Sequence, residues 1–234
     1  MTDLASFPIT TRWPAQYPDR LQLYSVPTPN GVKVSIMLEE CALPYEAHAV
    51  RFDANEQKSA EFLSLNPNGK IPAIIDPNGP GGEPLTLFES GAILLYLADK
   101  TGQFIPSEAA DRYHALQWIM FQVGAIGPFF GQVGFFHKFA GKDFPDKRPR
   151  DRYVNESRRL LAVLNRTLAG RPWMLGDAYS IVDMAVFPWV RGLLQFYRAG
   201  QLVGIADFPE VTRVLEAFLA RPAVQRGLEI PARS

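Results

Sequence analysis

The chain has 234 residues, with 24 Lys plus Arg against 24 Asp plus Glu, 47% hydrophobic residues and a single cysteine. That length suits one large domain or two small ones, and zero net charge lacks the basic footprint of a nucleic-acid binder or of a protein held on anionic membranes, which points to small molecules or proteins as partners. With Cys41 alone, an intrachain disulfide, a CxxC pair and a cysteine-rich zinc site are excluded, and the composition suits a reducing, cytoplasmic compartment.

No run of about 18 apolar residues stands out, so no transmembrane helix is expected. Met1 to Arg20 contains Asp3, Pro8, Pro14 and Pro18 and no apolar run that would serve as a signal peptide. It reads as an extended N-terminal arm, either a surface tail or, given Trp13 and Tyr17, a segment packing on a partner subunit.

From Leu21, strand-like runs alternate with helical periods, as in a mixed sheet with helices. Leu21 to Tyr24 reads as a strand. Thr28-Pro-Asn-Gly31 looks like a helix start, with Thr28 as cap and Pro29 in the first turn. Val34, Met37 or Leu38, and Cys41 then share one helical face, which turns Cys41 toward the core. A strand near Tyr45 to Val50 precedes a polar helix over Gln57 to Ser64. Asn66-Pro-Asn-Gly-Lys70 turns into a short apolar strand headed by Pro72, where a proline breaks no ladder and where the Ile71–Pro72 bond is a candidate cis peptide. A glycine- and proline-rich loop, Asp76 to Pro84, leads to a hairpin partner at Leu85 to Leu87. Glu89 and Ser90 open an apolar helix through Ala98.

After Gly102 no strand-like alternation is convincing. Helical periods cover Ala109 to Phe136, Asp151 to Leu168, Ile181 to Tyr197 and Val211 to Leu219, and Gly124, Gly127 and Pro128 predict a kink or break in the first. The expected organisation is an arm over 1–20, an α/β domain over 21–102 and an all-α domain over 103–234.

Among residues that carry chemistry, the three histidines, His48, His114 and His137, form no metal-binding pair, and no metal site is expected. Strings of the GxSxG, GxGxxG or GxxxxGK[ST] type are absent, against hydrolase, dinucleotide and P-loop readings. Glu39 and Glu40 diverge on a helix surface. The basic run Lys147, Arg148, Arg150, Arg152, Arg158 and Arg159 is interleaved with Asp146, Asp151 and Glu156 and reads as a solvated helix start. Two helix N-termini remain, at Thr28-Pro29-Asn30 and at Glu89-Ser90, each straight after a strand. Their unpaired N–H groups and dipoles suit a thiolate or a carboxylate, although ordinary capping explains each taken alone.

Together these segments resemble something specific. Val26-Pro-Thr-Pro-Asn-Gly31, Asn66-Pro-Asn-Gly-Lys-Ile-Pro-Ala73, Phe88-Glu-Ser-Gly-Ala-Ile-Leu-Leu-Tyr-Leu97 and Tyr179-Ser-Ile-Val-Asp-Met-Ala185 resemble the cytosolic glutathione transferases, in the right order over about Leu21 to Pro222, and the TPNG string resembles the nu class. The resemblance implies a thioredoxin-like α/β domain followed by an all-α domain, assembled as a homodimer with glutathione sites. It implies that Ile71 offers its backbone to the cysteinyl unit beside a cis Pro72. Glu89 and Ser90 would hold the γ-glutamyl end, Gln57 and Lys70 would lie near the glycyl end, and Arg152 would reach glutathione from the helical domain.

The chemistry can also be followed without the family. Where a thioredoxin carries its CxxC, this chain has Val26-Pro-Thr-Pro-Asn30, so a bound glutathione or its disulfide must supply the sulfur. The Thr28 hydroxyl, the Asn30 amide and the helix N–H groups would meet that sulfur. Hydrogen bonds to a charged acceptor are worth about 1.5 to 3 kcal/mol and one pKa unit about 1.4 kcal/mol, so a depression of roughly one to two units is reachable. Thr28 would stabilise the sulfur anion and Asn30 orient it, with Tyr24 and Ser25 as alternative hydroxyls. The activity this implies is glutathione-dependent thiol-disulfide oxidoreduction. Conjugation of glutathione to a small hydrophobic electrophile and a non-catalytic glutathione-binding module are the alternatives. Phe129, Phe130, Phe135 and Phe136 either line an acceptor pocket or pack as core. Ser180-Ile-Val-Asp183 has the spacing of a capping box and reads as a folding element.

Overall fold

Leu21–Ser25 (β1) runs parallel to Tyr45–Ala49 (β2), while Ala73–Asp76 (β3) and Leu85–Phe88 (β4) form an antiparallel hairpin whose first strand pairs with β1. The result is one mixed sheet of order β2-β1-β3-β4. The structure, a computed structural model, describes residues 4–232. Every residue of β1 and β3 is buried, which is why they lack the alternation of a half-exposed strand. Residues up to Thr101 together with those from Pro222 form one compact unit, and Gly102–Arg221 forms a second.

In the first unit, Pro29–Glu40 (α1) starts at Thr28, whose side chain accepts the Gly31 N–H, and ends at Cys41. All positions from Gly31 to Leu38 are buried, so α1 is enclosed on all sides rather than carrying a single apolar face. Cys41, beyond that stretch, is half-buried. The expected helix over Gln57 to Ser64 is divided: Glu56–Lys58 forms a 3-10 turn, and Ser59, in extended conformation with its side chain accepting the Phe62 N–H, caps Ala60–Leu65 (α2). The Ile71–Pro72 bond is cis. Ser90–Thr101 (α3) completes the chain on this side of the division.

Two expectations are corrected here. The N-terminal residues are not an extended arm: from Leu4 they form two 3-10 turns, Leu4–Ser6 and Pro8–Thr11, and pack on their own unit. Leu4 and Ile9 join Tyr24, Val50, Phe62 and Ile75 in a buried cluster, with Trp13 packed against it. Trp13 Nε1 donates to the Ala49 carbonyl at 3.1 Å, and the Gln16 and Tyr17 N–H groups donate to Glu46. Burial of two large aliphatic side chains, about 1.5 to 3 kcal/mol each, contributes to holding the segment in place. Nor does everything after 102 belong with the helices: Pro222–Gly227 (α9) packs on α1. Ser35 Oγ donates to the Gly227 carbonyl at 2.6 Å, and Arg226 meets Glu39 at 2.6 Å. A Cβ on Gly227 would come within 2.7 Å of Ile36 Cα, so the absence of a side chain permits this approach.

The second unit is helical. Ala109–Phe121 (α4) and Gly127–His137 (α5) are joined by a π-helical stretch over Gln122–Ile126. The expected kink is thus a widened turn, in which the Gly127 N–H reaches back to the Gln122 carbonyl just before Pro128, which has no N–H to give. By length and composition alone the continuous run Ala109–His137 could cross a membrane, a property that glycines and polar residues hide from a count of uninterrupted apolar positions. Here Ala115, Ile119, Ile126, Phe130 and Val133 are buried. Arg148–Leu168 (α6), Ile181–Arg191 (α7) and Pro209–Leu219 (α8) complete the unit. The capping box forms at the start of α7: Asp183, fully buried, accepts from the Met174 and Ser180 N–H groups and from Ser180 Oγ at 2.9, 3.0 and 3.1 Å.

Candidate functional site

The sheet register brings the expected residues of the first unit to one edge. Tyr24 pairs with Ala73, Ala73 with Phe88 and Ser25 with Ala49, so β1, β2 and β4 end where β3 begins. Thr28 and Asn30 follow β1 across this edge, Gln57 follows β2, Lys70, Ile71 and Pro72 precede β3, and Glu89 and Ser90 follow β4.

Thr28 is half-buried in extended conformation at the start of α1, its Oγ1 3.4 Å from the Gly31 nitrogen. Thr28 Oγ1 only accepts there, so that bond does not use the hydroxyl proton an incoming anion would need. Gly31 is dictated by close packing: a Cβ there would lie 2.0 Å from the Val26 carbonyl oxygen and 2.5 Å from Ser25 Oγ. The helix start is thereby pressed against the strand end. Asn30, half-buried, sits in the first turn. Tyr24 and Ser25, the alternative hydroxyls, are both completely buried. Burial raises the Tyr24 hydroxyl above its ordinary range, its ring stacks on His48 at 4.7 Å, and Ser25 Oγ bonds the Val26 carbonyl. Of these three hydroxyl residues only Thr28 is not completely buried.

Gln57 is half-buried, and its Oε1 is enclosed without a hydrogen-bond partner, an acceptor suited to a ligand N–H. The 66–70 turn lies against it, held by Asn66 Nδ2 on the Lys70 carbonyl at 2.6 Å and by Lys58 Nζ on the Asn68 carbonyl at 3.4 Å. Lys70 is exposed, while Ile71 and Pro72 are buried. Glu89 is exposed with φ of 72°, a left-handed conformation that costs a non-glycine residue about 1 to 3 kcal/mol and that clusters at ligand clamps. Its carbonyl accepts the Ile93 N–H at the head of α3.

One residue of this edge escaped the sequence reading. Lys33, in the second turn of α1, is 1% exposed, and its Nζ lies 3.3 Å from Ser90 Oγ. Burial pulls its ammonium down to about 7, against the attraction of Glu89. The available signal was one lysine inside the apolar run Val32 to Leu38.

Arg152 belongs to the second unit, exposed near the start of α6. Of the four phenylalanines, Phe130 is completely buried and belongs to the core, and Phe136 stacks on Tyr153 at 5.6 Å. Phe135 is exposed, as are Phe139, Phe144 and Phe196. A cavity of about 890 Å³ within the helical unit, lined by Phe104, Trp118, Arg166 and Tyr179 among others, includes none of the expected site residues. Among the described residues no group of three or more His, Cys, Asp or Glu could hold a metal ion.

Comparison with known proteins matches residues 19–99 to the glutathione S-transferase N-terminal domain and residues 128–222 to the glutathione S-transferase C-terminal domain. The disulfide-bond oxidoreductase YfcG of Escherichia coli (strain K12) is 44% identical over 209 residues, covering 89% of this chain and 94% of the relative. The disulfide-bond oxidoreductase YghU of the same organism is 39% identical over 215 residues, 88% of this chain and 73% of the relative. Among solved structures, a glutathione transferase from Burkholderia graminis with two glutathione molecules bound per subunit is 71% identical, with a TM-score of 0.98 over 100% of this chain and 98% of that one. Another from Pseudomonas putida, with one glutathione disulfide per subunit, is 67% identical, with a TM-score of 0.97 over 98% and 100%.

Proposed function

We propose that this chain, which belongs to the glutathione S-transferase family, is a glutathione-dependent thiol-disulfide oxidoreductase of the nu-class kind. The observation that carries this reading is the helix start after β1. It offers the Thr28 hydroxyl and the Asn30 side chain at the positive end of a helix dipole, while Cys41, the only thiol in the chain, stands at the far end of the same helix. The sulfur must come with the substrate.

Glu89 and Ser90 hold the γ-glutamyl end of glutathione, the Ile71 backbone beside Pro72 the cysteinyl unit, and Gln57 and Lys70 the glycyl end. Thr28 and the positive end of the α1 dipole stabilise the thiolate, which raises the fraction of bound thiol that is nucleophilic near neutral pH. Asn30 orients it toward the acceptor disulfide. Attack forms a mixed disulfide and releases one thiolate. A second glutathione thiolate then resolves the mixed disulfide, so that two glutathiones become one glutathione disulfide and the acceptor leaves as two thiols. The glutathione and glutathione disulfide bound in the Burkholderia and Pseudomonas relatives support this sequence of species.

The reading includes a cytoplasmic homodimer. Tyr113, Met120 and Val123, at 71%, 57% and 37% exposure, follow at intervals of seven and three along α4 and its π-helical extension, an apolar stripe that a second copy would cover. A light-scattering mass of one chain would overturn it. Conjugation to a hydrophobic electrophile is the second reading, favoured by the exposed Phe135, Phe139, Phe144 and Phe196 of the helical unit.

Reduction of a small dialkyl disulfide by glutathione tests the main reading, with Thr28→Ala and Asn30→Ala alongside. Turnover in the native protein that falls in both variants supports it; rates unchanged in both overturn it.

A further inference from the structure

A lysine enclosed among the apolar residues of α1 is expensive. A buried ammonium loses its hydration, and replacing buried ionic groups with apolar side chains of similar volume is often neutral or stabilising. Lys33 is flanked by Val32, Val34, Ile36 and Met37, each 1% exposed or less, so an apolar residue would suit α1 better. What distinguishes Lys33 is where its side chain ends, 3.3 Å from Ser90 Oγ, with Glu89 as the neighbouring carboxylate.

We propose that Lys33 is a positioning residue of the glutathione site: by donating to Ser90 Oγ it turns the Ser90 hydroxyl proton outward, toward the γ-glutamyl carboxylate. The assignment rests on the function proposed above and deepens it. The argument is one of donor and acceptor roles. An ammonium has three N–H donors and no acceptor, whereas a serine hydroxyl has one donor and two acceptor lone pairs. Opposite the protonated lysine, the form that the neighbouring Glu89 favours, Ser90 Oγ can only accept, and its single proton remains for another group. Ser90 is 5% exposed and heads α3, so few acceptors compete for that proton. A carboxylate arriving there receives a charge-assisted hydrogen bond, the stronger kind. Lys33 thus selects a ligand with a carboxylate at this end without touching the reacting sulfur.

Calorimetric titration of glutathione into the native protein, Lys33→Met, Ser90→Ala and the double variant tests this, with disulfide-reductase kinetics on the same four. Lys33→Met should weaken glutathione about tenfold, the lower end for a hydrogen bond to a charged group. KM for glutathione should rise in step, while kcat at saturating glutathione stays within about twofold. Because Lys33 acts through Ser90, adding Lys33→Met to Ser90→Ala should weaken binding little further. The ligand-free Lys33→Met protein should unfold at the native temperature or above it, an outcome foreign to a purely structural lysine. Lys33→Gln, uncharged and polar, is measured in parallel, so that a folding failure in one variant leaves the other to decide. Native affinity in both variants, or a loss that adds in full to that of Ser90→Ala, overturns the role of Lys33. A native protein that binds no glutathione overturns the functional reading itself, and the assignment with it.

Discussion

Thr28 and Cys41 cap opposite ends of one helix: Thr28 Oγ1 accepts the Gly31 N–H where α1 begins, and the Cys41 N–H bonds the Met37 carbonyl at 3.0 Å where it ends. A helix of that length separates them by about 20 Å. Burial raises the Cys41 thiol above its ordinary value, partly offset by a hydrogen bond to Thr101, so it is neither near the site nor activated. Cys41→Ser should therefore keep disulfide-reductase turnover within about twofold, whereas Thr28→Ala should lower it about tenfold, the loss of one hydrogen bond to a charged acceptor. Turnover abolished in Cys41→Ser would remove glutathione as the only source of sulfur.

Gly31→Ala should damage site and fold together. The added Cβ would sit 2.0 Å from a backbone oxygen at Val26, so the helix start must move away from the strand end. Overpacking of this kind costs about 1 to 3 kcal/mol, and urea denaturation should show it. The folded remainder should bind glutathione more weakly, since the displaced residues are those proposed to meet the sulfur.

The N-terminal segment should behave as core. Ile9 is 1% exposed within the cluster that includes Tyr24 and Phe62, and Ile9→Ala should cost about 2 to 5 kcal/mol. A shift of the denaturation midpoint near zero would show the segment to be detachable.

Asp183→Ala should cost about 1 to 3 kcal/mol in stability for each buried N–H donor it leaves unsatisfied, with glutathione affinity of the folded protein unchanged. Equilibrium denaturation followed by titration separates the two effects.

Acid should act on two carboxylates in opposite senses. Burial by itself would raise Glu56, but the Arg51 side chain and N–H and Arg12 outweigh it and hold it at about 2. The native state then binds fewer protons than the unfolded state below the ordinary 4.5, so the stability Glu56 contributes is present above that pH and lost as pH falls through 2. Burial raises Asp183 to about 6, against the hydrogen bonds from Met174 and Ser180. Its contribution is full below the ordinary 3.8 and declines as pH rises through 6. Midpoints measured from pH 2 to 7 should show Glu56→Gln flattening the acid limb and Asp183→Asn removing the decline between 3.8 and 6.

Local signals were legible where the cause is local. Thr28-Pro29 and Ser180 with Asp183 announce helix starts because a capping side chain bonds backbone within three residues of itself. Pro128 announces a disturbance because it has no N–H, but whether the helix breaks or widens into a π turn depends on what packs around it. The expected Gln57 to Ser64 helix divides at Ser59 because a serine serves equally as helix interior or as cap, and here its side chain accepts the Phe62 N–H.

By itself, the sequence determined the order of elements, the absence of a second thiol and the chemical kinds of group available at the two helix starts. Each follows from the side chains present and from hydrogen bonds spanning a few residues. Only the tertiary structure decided that Leu4 and Ile9 are core, that the segment from Pro222 returns to α1, and that Lys33 ends beside Ser90, 57 positions along the chain. Those outcomes depend on which apolar surfaces are left uncovered once the sheet and α1 have formed, a long-range competition for burial that no short stretch of sequence contains.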